Sequence, residues 1–194
     1  MTVRLTLVCA AAGSAVREAR FGDGPLDERA RREALASAPA APAAQVRCCR
    51  APSVRCRETA EVWGVDAVVE TALRDCDFGS WTGRTPQEVI SADPQGFRAW
   101  MSDADAVPHG GESVRELHAR VGGWLRQLSS EAVSSEAGGV LAVVEPSAVR
   151  AAVVHALDAP LSAFWRIDVP PLSSIALTGR SGRWNLRLGA TAAN

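Results

Sequence analysis

The 194-residue chain contains no lysine and no tyrosine, and it has only three histidines, at positions 109, 118 and 155. The absence of lysine excludes Schiff-base chemistry on a protein amine, and every basic side chain is an arginine. Acid–base chemistry must therefore come from carboxylates, a cysteine or one of the histidines. The histidines lie far apart without the spacing of metal ligands, so we expect no metal site and no cofactor.

Other absences narrow the class of protein. No run approaches the roughly 20 apolar residues of a membrane span, and the start of the chain lacks the features of a signal peptide. The net charge of −1 gives no indication of a nucleic-acid or membrane partner. The five cysteines are odd in number and form no Cys-x-x-Cys pair, which favours free thiols in a reducing compartment. We therefore expect a cytoplasmic protein with a single domain over residues 1–194.

Apolar runs alternate with helical patterns along the chain. Continuous apolar runs predict buried strands at Val3–Val8 and Val140–Val144. Thr85 and Ser113 each begin a capping box, and a stripe of apolar residues at helical spacing follows Ser113. Strands that alternate with helices predict an α/β domain with a mostly parallel sheet. The remaining predicted elements are helices at Pro25–Leu35, Ser53–Gly64, Pro94–Met101 and Ser147–Leu157, strands at Val46–Cys49, Ser174–Leu177 and Trp184–Leu188, and a loop at Ser129–Gly139.

The predicted topology nominates a candidate site. In sheets of this kind, ligands sit beyond the carboxyl ends of the strands. Cys9 and Ala10 follow the first predicted strand, and Glu145 follows the strand at Val140–Val144. These positions are therefore candidates whatever family the chain belongs to.

Five segments carry a family resemblance: Cys9-Ala10-Ala11, Pro52–Ala60, Leu73–Gly83, Gly110–Ser113 and Val143–Pro146. In this order and spacing, the chain resembles the histidine phosphatase superfamily, the phosphoglycerate-mutase-like proteins. The resemblance covers nearly the whole chain and implies a three-layer α/β/α sandwich. The nucleophile of that family is the histidine of an Arg-His-Gly triplet after the first strand, where this chain has Cys9-Ala10-Ala11.

The resemblance implies a pocket with altered chemistry. Ala10 stands at the position of the nucleophilic histidine, and Cys9 at that of a phosphate-binding arginine. Arg55 retains the second arginine, and Asp75 takes the place of the usual general-acid glutamate. Glu145 replaces the second phosphate-contacting histidine.

These substitutions argue against the family chemistry. Alanine cannot form a phosphohistidine, and loss of a nucleophile from a coupled catalytic set costs on the order of a millionfold in rate. Glu145 would also face the substrate dianion, with a repulsion of roughly 4 kcal/mol at about 4 Å and an effective dielectric constant near 20. We therefore expect that the chain is not a histidine-dependent phosphatase or mutase.

The leading hypothesis is a repurposed acid–base enzyme that acts on a small organic molecule. Two carboxylates that face one pocket can differ in pKa, so that Glu145 and Asp75 serve as acid and base in an isomerisation, dehydration, cyclisation or hydrolysis. Arg55 would orient an anionic or carbonyl group. The other residues predicted to bind substrate are Cys9, Ala10, His109 (which precedes the segment that covers the pocket mouth in the family) and Ser147.

Two alternatives remain open. Glu145 can instead pair with Arg55 in an emptied site, in which case the protein is a pseudoenzyme that binds a small molecule or a protein partner. A weak phosphatase that uses Cys9 or water as the nucleophile is the second alternative. Since many relatives pair, a homodimer is also possible.

Overall fold

The computed structural model describes residues 2–39, 46–131 and 139–187. The strands are β1 (Val3–Cys9), β2 (Val46–Arg50), β3 (Val68–Val69), β4 (Gly139–Val144), β5 (Ser174–Arg180) and β6 (Arg183–Arg187). The helices are α1 (Ser14–Arg17), α2 (Glu28–Ala36), α3 (Val54–Val62), α4 (Pro86–Ala92), α5 (Pro94–Ser102), α6 (Val114–Glu131) and α7 (Pro146–Ala156). The predicted strands and long helices are confirmed to within a few residues at each end.

The six strands form one sheet in the order β3-β2-β4-β1-β5-β6. The strands β1 to β4 are parallel to one another, whereas β5 and β6 are antiparallel to their neighbours. The predicted mostly parallel sheet is confirmed. Because Cys9 pairs with Val144 in register, the ends of β1 and β4 meet at one edge of the sheet.

Helices cover both faces of the sheet. The connections that contain α2 and α3 lead along the strand order from β1 to β2 and then to β3. The connections that contain α6 and α7 lead back in the opposite direction, to β4 and then to β5. Right-handed crossovers then put the two pairs on opposite faces. The helices α2 and α3 contact each other, as do α6 and α7. This arrangement confirms the three-layer sandwich.

Local signals explain most of the helix ends. The capping boxes at Thr85 and Ser113 are both formed. The predicted start of α2 at Pro25 is wrong, because the Asp27 side chain accepts a hydrogen bond from the amide of Ala30 and thereby caps the helix at Glu28. The predicted loop from Ser129 is also wrong at its start, since α6 continues to residue 131; residues 132–138 of that loop lie outside the described residues.

Two glycines let the loop that carries Asp75 lie against the segment before α6. Gly79 has φ +46°, and a Cβ atom there would collide with the carbonyl of His109. A Cβ atom at Gly111 would collide with the carbonyl of Asp77. The close approach allows the amide of Glu112 to donate to that carbonyl at 2.8 Å.

Glu112 and Arg120 fix this loop from the opposite side. The Glu112 carboxylate accepts hydrogen bonds from Arg74 at 2.8 Å and from Arg120 at 2.6 Å. The Arg120 guanidinium also donates to the carbonyls of Ala72, Arg74 and Asp75. The backbone before Asp75 is therefore held by the ion pair between Glu112, just before α6, and Arg120 on α6.

Candidate functional site

Three charged side chains meet beyond the carboxyl ends of β1 and β4. Arg55 comes from the first turn of α3, Asp75 from the loop after Leu73, and Glu145 from the N-cap of α7. The Arg55 Nη2 atom forms an ion pair with Glu145 Oε2 and lies 3.9 Å from Asp75 Oδ2. The structure thus brings together the three charged residues that the sequence nominated.

Glu145 is fully buried, with 0% of its surface exposed. Its Oε1 atom accepts a hydrogen bond from the Ser53 hydroxyl at 2.5 Å and one from the Cys56 thiol at 3.5 Å, while Oε2 pairs with Arg55. The expectation that Glu145 faces an open pocket is therefore wrong. A buried carboxylate needs a counter-charge and donors, and the start of α3 supplies both.

The start of α3 holds Arg55 in place and brings a further carboxylate. Asp23 accepts hydrogen bonds from the amide of Val54 at 2.6 Å and from that of Arg55 at 3.3 Å. Burial alone would lower the pKa of the Arg55 guanidinium, but the negative charges of Glu145 and Asp75 raise it above its usual value. Arg55 therefore stays charged, and carboxylates of the protein surround it.

Asp75 is the carboxylate that remains partly open, with 21% of its side chain exposed. Its Oδ1 atom accepts hydrogen bonds from the Ser147 hydroxyl and the Cys76 amide. Within the described ranges no hydrogen bond reaches Oδ2. Burial and the charge of Glu145 raise the pKa of Asp75 to about 7, against the opposing effects of the bond from Ser147, the charge of Arg55 and the bond from Cys76. Asp75 can therefore both accept and release a proton near neutral pH.

This raised pKa makes a prediction about stability. The pKa of Asp75 is about 7 when folded and near 3.8 when unfolded, so the folded state holds the extra proton between those values. Its contribution to stability is present at low pH and is lost as the pH rises to about 7. Between pH 5 and pH 8, the free energy of unfolding should fall by about 2–3 kcal/mol more in the wild type than in Asp75→Asn.

Urea unfolding at the two pH values measures this difference. Asp77→Asn is the matched control, because Asp77 lies two residues further along the same loop and its side chain is exposed. Its free energy of unfolding should change between the two pH values as much as that of the wild type. An equal change in the wild type and Asp75→Asn would show that the pKa of Asp75 is not raised in the folded protein.

Cys9 and Ala10 lie at the end of β1 next to the site, but their side chains are buried. Each has 1% of its surface exposed, and the amide of Ala10 donates to the carbonyl of Val144 at 2.9 Å. Burial raises the pKa of the Cys9 thiol to about 12, because the opposing charge of Arg55 is offset by Glu145 and Asp75. The thiol is therefore protonated at neutral pH, which argues against Cys9 as a nucleophile. Because both side chains are buried, the structure does not support the prediction that they bind substrate.

His109 lies in the expected segment but is neither exposed nor directed at the carboxylates. It is 3% exposed and its ring packs between Phe78, Trp81 and Trp100, with centroid distances of 4.9–6.5 Å. The amide of Gly111 donates to Nδ1 at 3.0 Å, which assigns the proton to Nε2. Burial lowers its pKa, so the ring is neutral at pH 7. No hydrogen bond in the described structure links it to Arg55, Asp75 or Glu145.

The structure also contains a cavity that the sequence did not reveal. It has a volume of about 240 Å³ and lies next to Asp75, since both residues that bind Asp75 Oδ1 line it. Its lining residues are Phe21, Cys76, Phe78, Trp100, Val114, Leu117, Ser147, Arg150, Phe164 and Trp165. Of the predicted site residues, Ser147 lines this cavity. Ser147 and Arg150 lie one helical turn apart on α7 and so share a helix face, but this spacing does not by itself predict a cavity.

Several negative findings complete the description of the site. Within residues 2–39, 46–131 and 139–187, no three histidine, cysteine or acidic side chains are grouped so that they could hold a metal ion. In the same ranges no helix has the length and apolar character needed to cross a membrane. The five cysteines are unpaired, and four of them are buried.

Residues 11–191 match the sequence model of the histidine phosphatase superfamily, branch 1. A protein of Mycobacterium tuberculosis named as bifunctional is 32% identical over 130 residues, which are 66% of this chain and 35% of that protein. Phosphoserine phosphatase 1 of Hydrogenobacter thermophilus is 29% identical over 109 residues, 56% of this chain and 50% of that protein. The chain thus spans about a third to a half of the length of these curated relatives.

Solved structures match over nearly the whole chain. Mycobacterial glucosyl-3-phosphoglycerate phosphatase in complex with VO3 has a TM-score of 0.79 and 26% identity, over 96% of this chain and 98% of that chain. The alpha-ribazole phosphatase of Shigella flexneri has a TM-score of 0.81 over 96% of this chain and 95% of that chain. At 19% sequence identity, this likeness shows a common fold and no more. The fold, the sequence match and the position of the site at the strand ends agree: the chain belongs to the histidine phosphatase superfamily.

Proposed function

We propose that the chain is an acid–base enzyme that acts on a small organic molecule, with Asp75 as the group that transfers the proton. The observation that carries the proposal is the environment of the Asp75 carboxyl, which is partly exposed, has a pKa of about 7 and lies beside an apolar cavity. A pKa close to the working pH is what general acid–base catalysis requires. The open Oδ2 atom is the one that exchanges the proton.

Glu145 has a different role from the one that the sequence indicated. Its buried carboxylate contacts Arg55, Ser53 and Cys56, so it is a positioning residue that acts on Asp75 through its charge. That charge raises the pKa of Asp75, while Arg55 keeps both carboxylates at the same edge of the sheet. In paired acid–base sites, the charge of one carboxylate shifts the pKa of the other in this way.

The same ion pair supports the proposal that phosphoryl transfer has been lost. Glu145 forms an ion pair with Arg55, and Asp23 accepts hydrogen bonds from the first amides of α3. A phosphate dianion would have to displace one carboxylate or remain next to it, at a cost of several kcal/mol. In the described structure no histidine contacts Arg55 or Glu145. His109 packs among aromatic rings, and the ring centroids of His118 and His155 lie 5.5 Å apart.

A second candidate is a binding protein without chemistry. The observation that favours it is the burial of both partners of the Arg55–Glu145 ion pair, which closes this part of the site. Such a protein would still bind a ligand in the apolar cavity. The difference between the two candidates is proton transfer by Asp75.

The experiment compares two activities of the wild-type protein. Deuterium incorporation into the methylene group of phenylpyruvate in D2O, followed by NMR, measures proton transfer at carbon. Phosphate release from p-nitrophenyl phosphate and phosphoserine measures phosphatase activity. We expect exchange above the buffer rate and no phosphate release. Release of phosphate with a trapped phosphoenzyme would overturn the proposal in favour of a phosphatase, and absence of both activities would favour the binding protein.

A further inference from the structure

Arg150 is an immobilised cation that no sequence pattern singles out. Its Nε atom donates to the carbonyl of Ile167 at 2.9 Å, and its guanidinium lies 5.8 Å from the centre of the Phe164 ring. Among the described residues, no carboxylate lies within ion-pair distance of Arg150, and no acceptor takes a hydrogen bond from its Nη1 or Nη2 atoms. Because Arg150 lines the cavity, its guanidinium is a cation that a ligand in the cavity can reach.

The walls of the cavity are aromatic. Trp100 and Trp165 meet edge to face at 4.3 Å, and Phe164 contacts Trp165 in the same way at 4.9 Å. Phe21 and Phe78 lie 5.0 Å apart and both contact Trp100, so these rings form one aromatic cluster. Among the polar groups of the lining, the Ser147 hydroxyl is engaged with Asp75, whereas the buried Nε1 atom of Trp100 has no hydrogen-bond partner among the described residues. An apolar cavity with one available cation accepts a flat apolar molecule that carries one acidic or acceptor group.

We propose that the cavity binds a small aromatic carboxylate, with its ring against the aromatic side chains of the lining and its carboxylate on Arg150. This inference rests on the proposed function and names the substrate class of that site. The volume of about 240 Å³ lies below the roughly 300–1,000 Å³ of pockets for drug-sized ligands, so it fits a molecule of one or two rings.

The charges around the cavity favour a monoanion. Arg55 pairs with Glu145, and Asp168 is a nearby negative charge that acts on Arg150, whose pKa burial lowers. Little positive charge is therefore left unbalanced, which favours a ligand with one negative charge over a dianion. A phosphate ester would add a second negative charge near Glu145 and Asp75. Like charges at this range disfavour binding, and a single guanidinium forms a two-pronged pair with one carboxylate.

Asp75 and the ligand should be coupled through charge. The groups that face Asp75 are Arg55 on α3, Glu145 before α7, Arg150 on α7 and the protonated thiols of Cys9 and Cys76. When Asp75 ionises, it adds a negative charge next to the bound carboxylate. Affinity should therefore fall as the pH rises through about 7, and Asp75→Asn should bind equally well on both sides of that pH.

Isothermal titration with three matched probes tests the proposal: 2-naphthoate, the neutral 2-naphthamide and 2-naphthyl phosphate. At pH 6 we expect 2-naphthoate to bind the wild type at least tenfold more tightly than either of the others. Arg150→Gln should remove the preference for 2-naphthoate over 2-naphthamide. Arg57→Gln, on an exposed arginine of α3 that pairs with Glu61, is the matched control and should leave the preference intact.

The probes alone decide the matter if Arg150→Gln fails to fold, because they compare ligands on the wild-type protein. Equal binding of naphthoate and naphthamide, tighter binding of the phosphate, or no binding of naphthoate would each overturn the proposal. The acid–base function is scored separately by exchange into phenylpyruvate. Naphthoate binding without exchange would leave the ligand class standing and remove the chemistry. Exchange into phenylpyruvate with equal binding of naphthoate and naphthamide would leave the chemistry standing and remove the contact of the carboxylate with Arg150.

Discussion

Asp75→Asn should slow the exchange of deuterium into phenylpyruvate by between about a hundredfold and ten thousandfold, the usual contribution of a general acid–base group. Asparagine keeps an oxygen that can accept the bonds from Ser147 and the Cys76 amide, so the loop should be preserved. What the variant loses is the oxygen that takes up and releases the proton. The loss of proton transfer should appear as a fall in kcat.

The pH dependence gives a second readout of the same variant. Exchange requires the ionised carboxylate as base, so the wild-type rate should rise with pH and level off above about 7. Asp77→Asn should behave like the wild type, because that side chain is exposed and its hydrogen bond goes to the amide of Gly79. If Asp75→Asn kept more than a tenth of the wild-type rate, Asp75 would not be the proton-transfer group.

Glu145→Gln should create affinity for inorganic phosphate and for vanadate, with a gain on the order of a hundredfold. The substitution removes the negative charge that pairs with Arg55, and a like charge at about 4 Å from a dianion opposes binding by roughly 4 kcal/mol. Each 1.4 kcal/mol corresponds to about a factor of ten in affinity, and solvent screening reduces the full effect. Glutamine keeps the hydrogen bond from Ser53, so α3 and α7 should remain joined.

The same substitution should change Asp75. Loss of the neighbouring charge lowers the pKa of Asp75, and the freed Arg55 can move closer to Asp75 Oδ2, which lies 3.9 Å from its Nη2 atom. The midpoint of the exchange profile should therefore move from about 7 to a lower pH. Calorimetric titration with phosphate and the pH profile measure both effects on one protein sample.

Glu61→Gln is the matched control for this variant, because Glu61 lies on α3, the helix that carries Arg55, and pairs with Arg57 at the surface. It should change neither phosphate affinity nor the midpoint of the pH profile. Unchanged phosphate affinity in a folded Glu145→Gln protein would contradict the view that Glu145 blocks the anion site. An unchanged pH midpoint would instead contradict its electrostatic effect on Asp75.

The sequence by itself was enough to predict the framework of this protein. The strands β1 and β4 are buried over nearly their whole length, so they read as continuous apolar runs. The capping boxes at Thr85 and Ser113 are local patterns that depend on residues three positions apart. Parallel strands end at a common edge, and that rule alone predicts that Cys9 and Glu145 lie at the site.

The roles of the site residues required the tertiary structure. A position at a strand end does not reveal how many donors surround a side chain. Glu145 follows strand β4 and Asp75 follows a short turn, and only the tertiary structure shows that Arg55 and Ser53 enclose the first while the second keeps an open oxygen. Their difference in burial, and the raised pKa of Asp75, arise from residues that lie far away in sequence.

The cavity shows the same limit. Its aromatic walls come from four segments, represented by Phe21, Phe78, Trp100 and Phe164, and none of these segments carries a pattern that points to the others. Arg150 reads in the sequence as one arginine among many, and only folding leaves its Nη groups beside those rings. Periodicity and capping are properties of neighbours along the chain, so the sequence determined the elements. Burial and charge balance depend on which segments pack together, so the tertiary structure decided the chemistry.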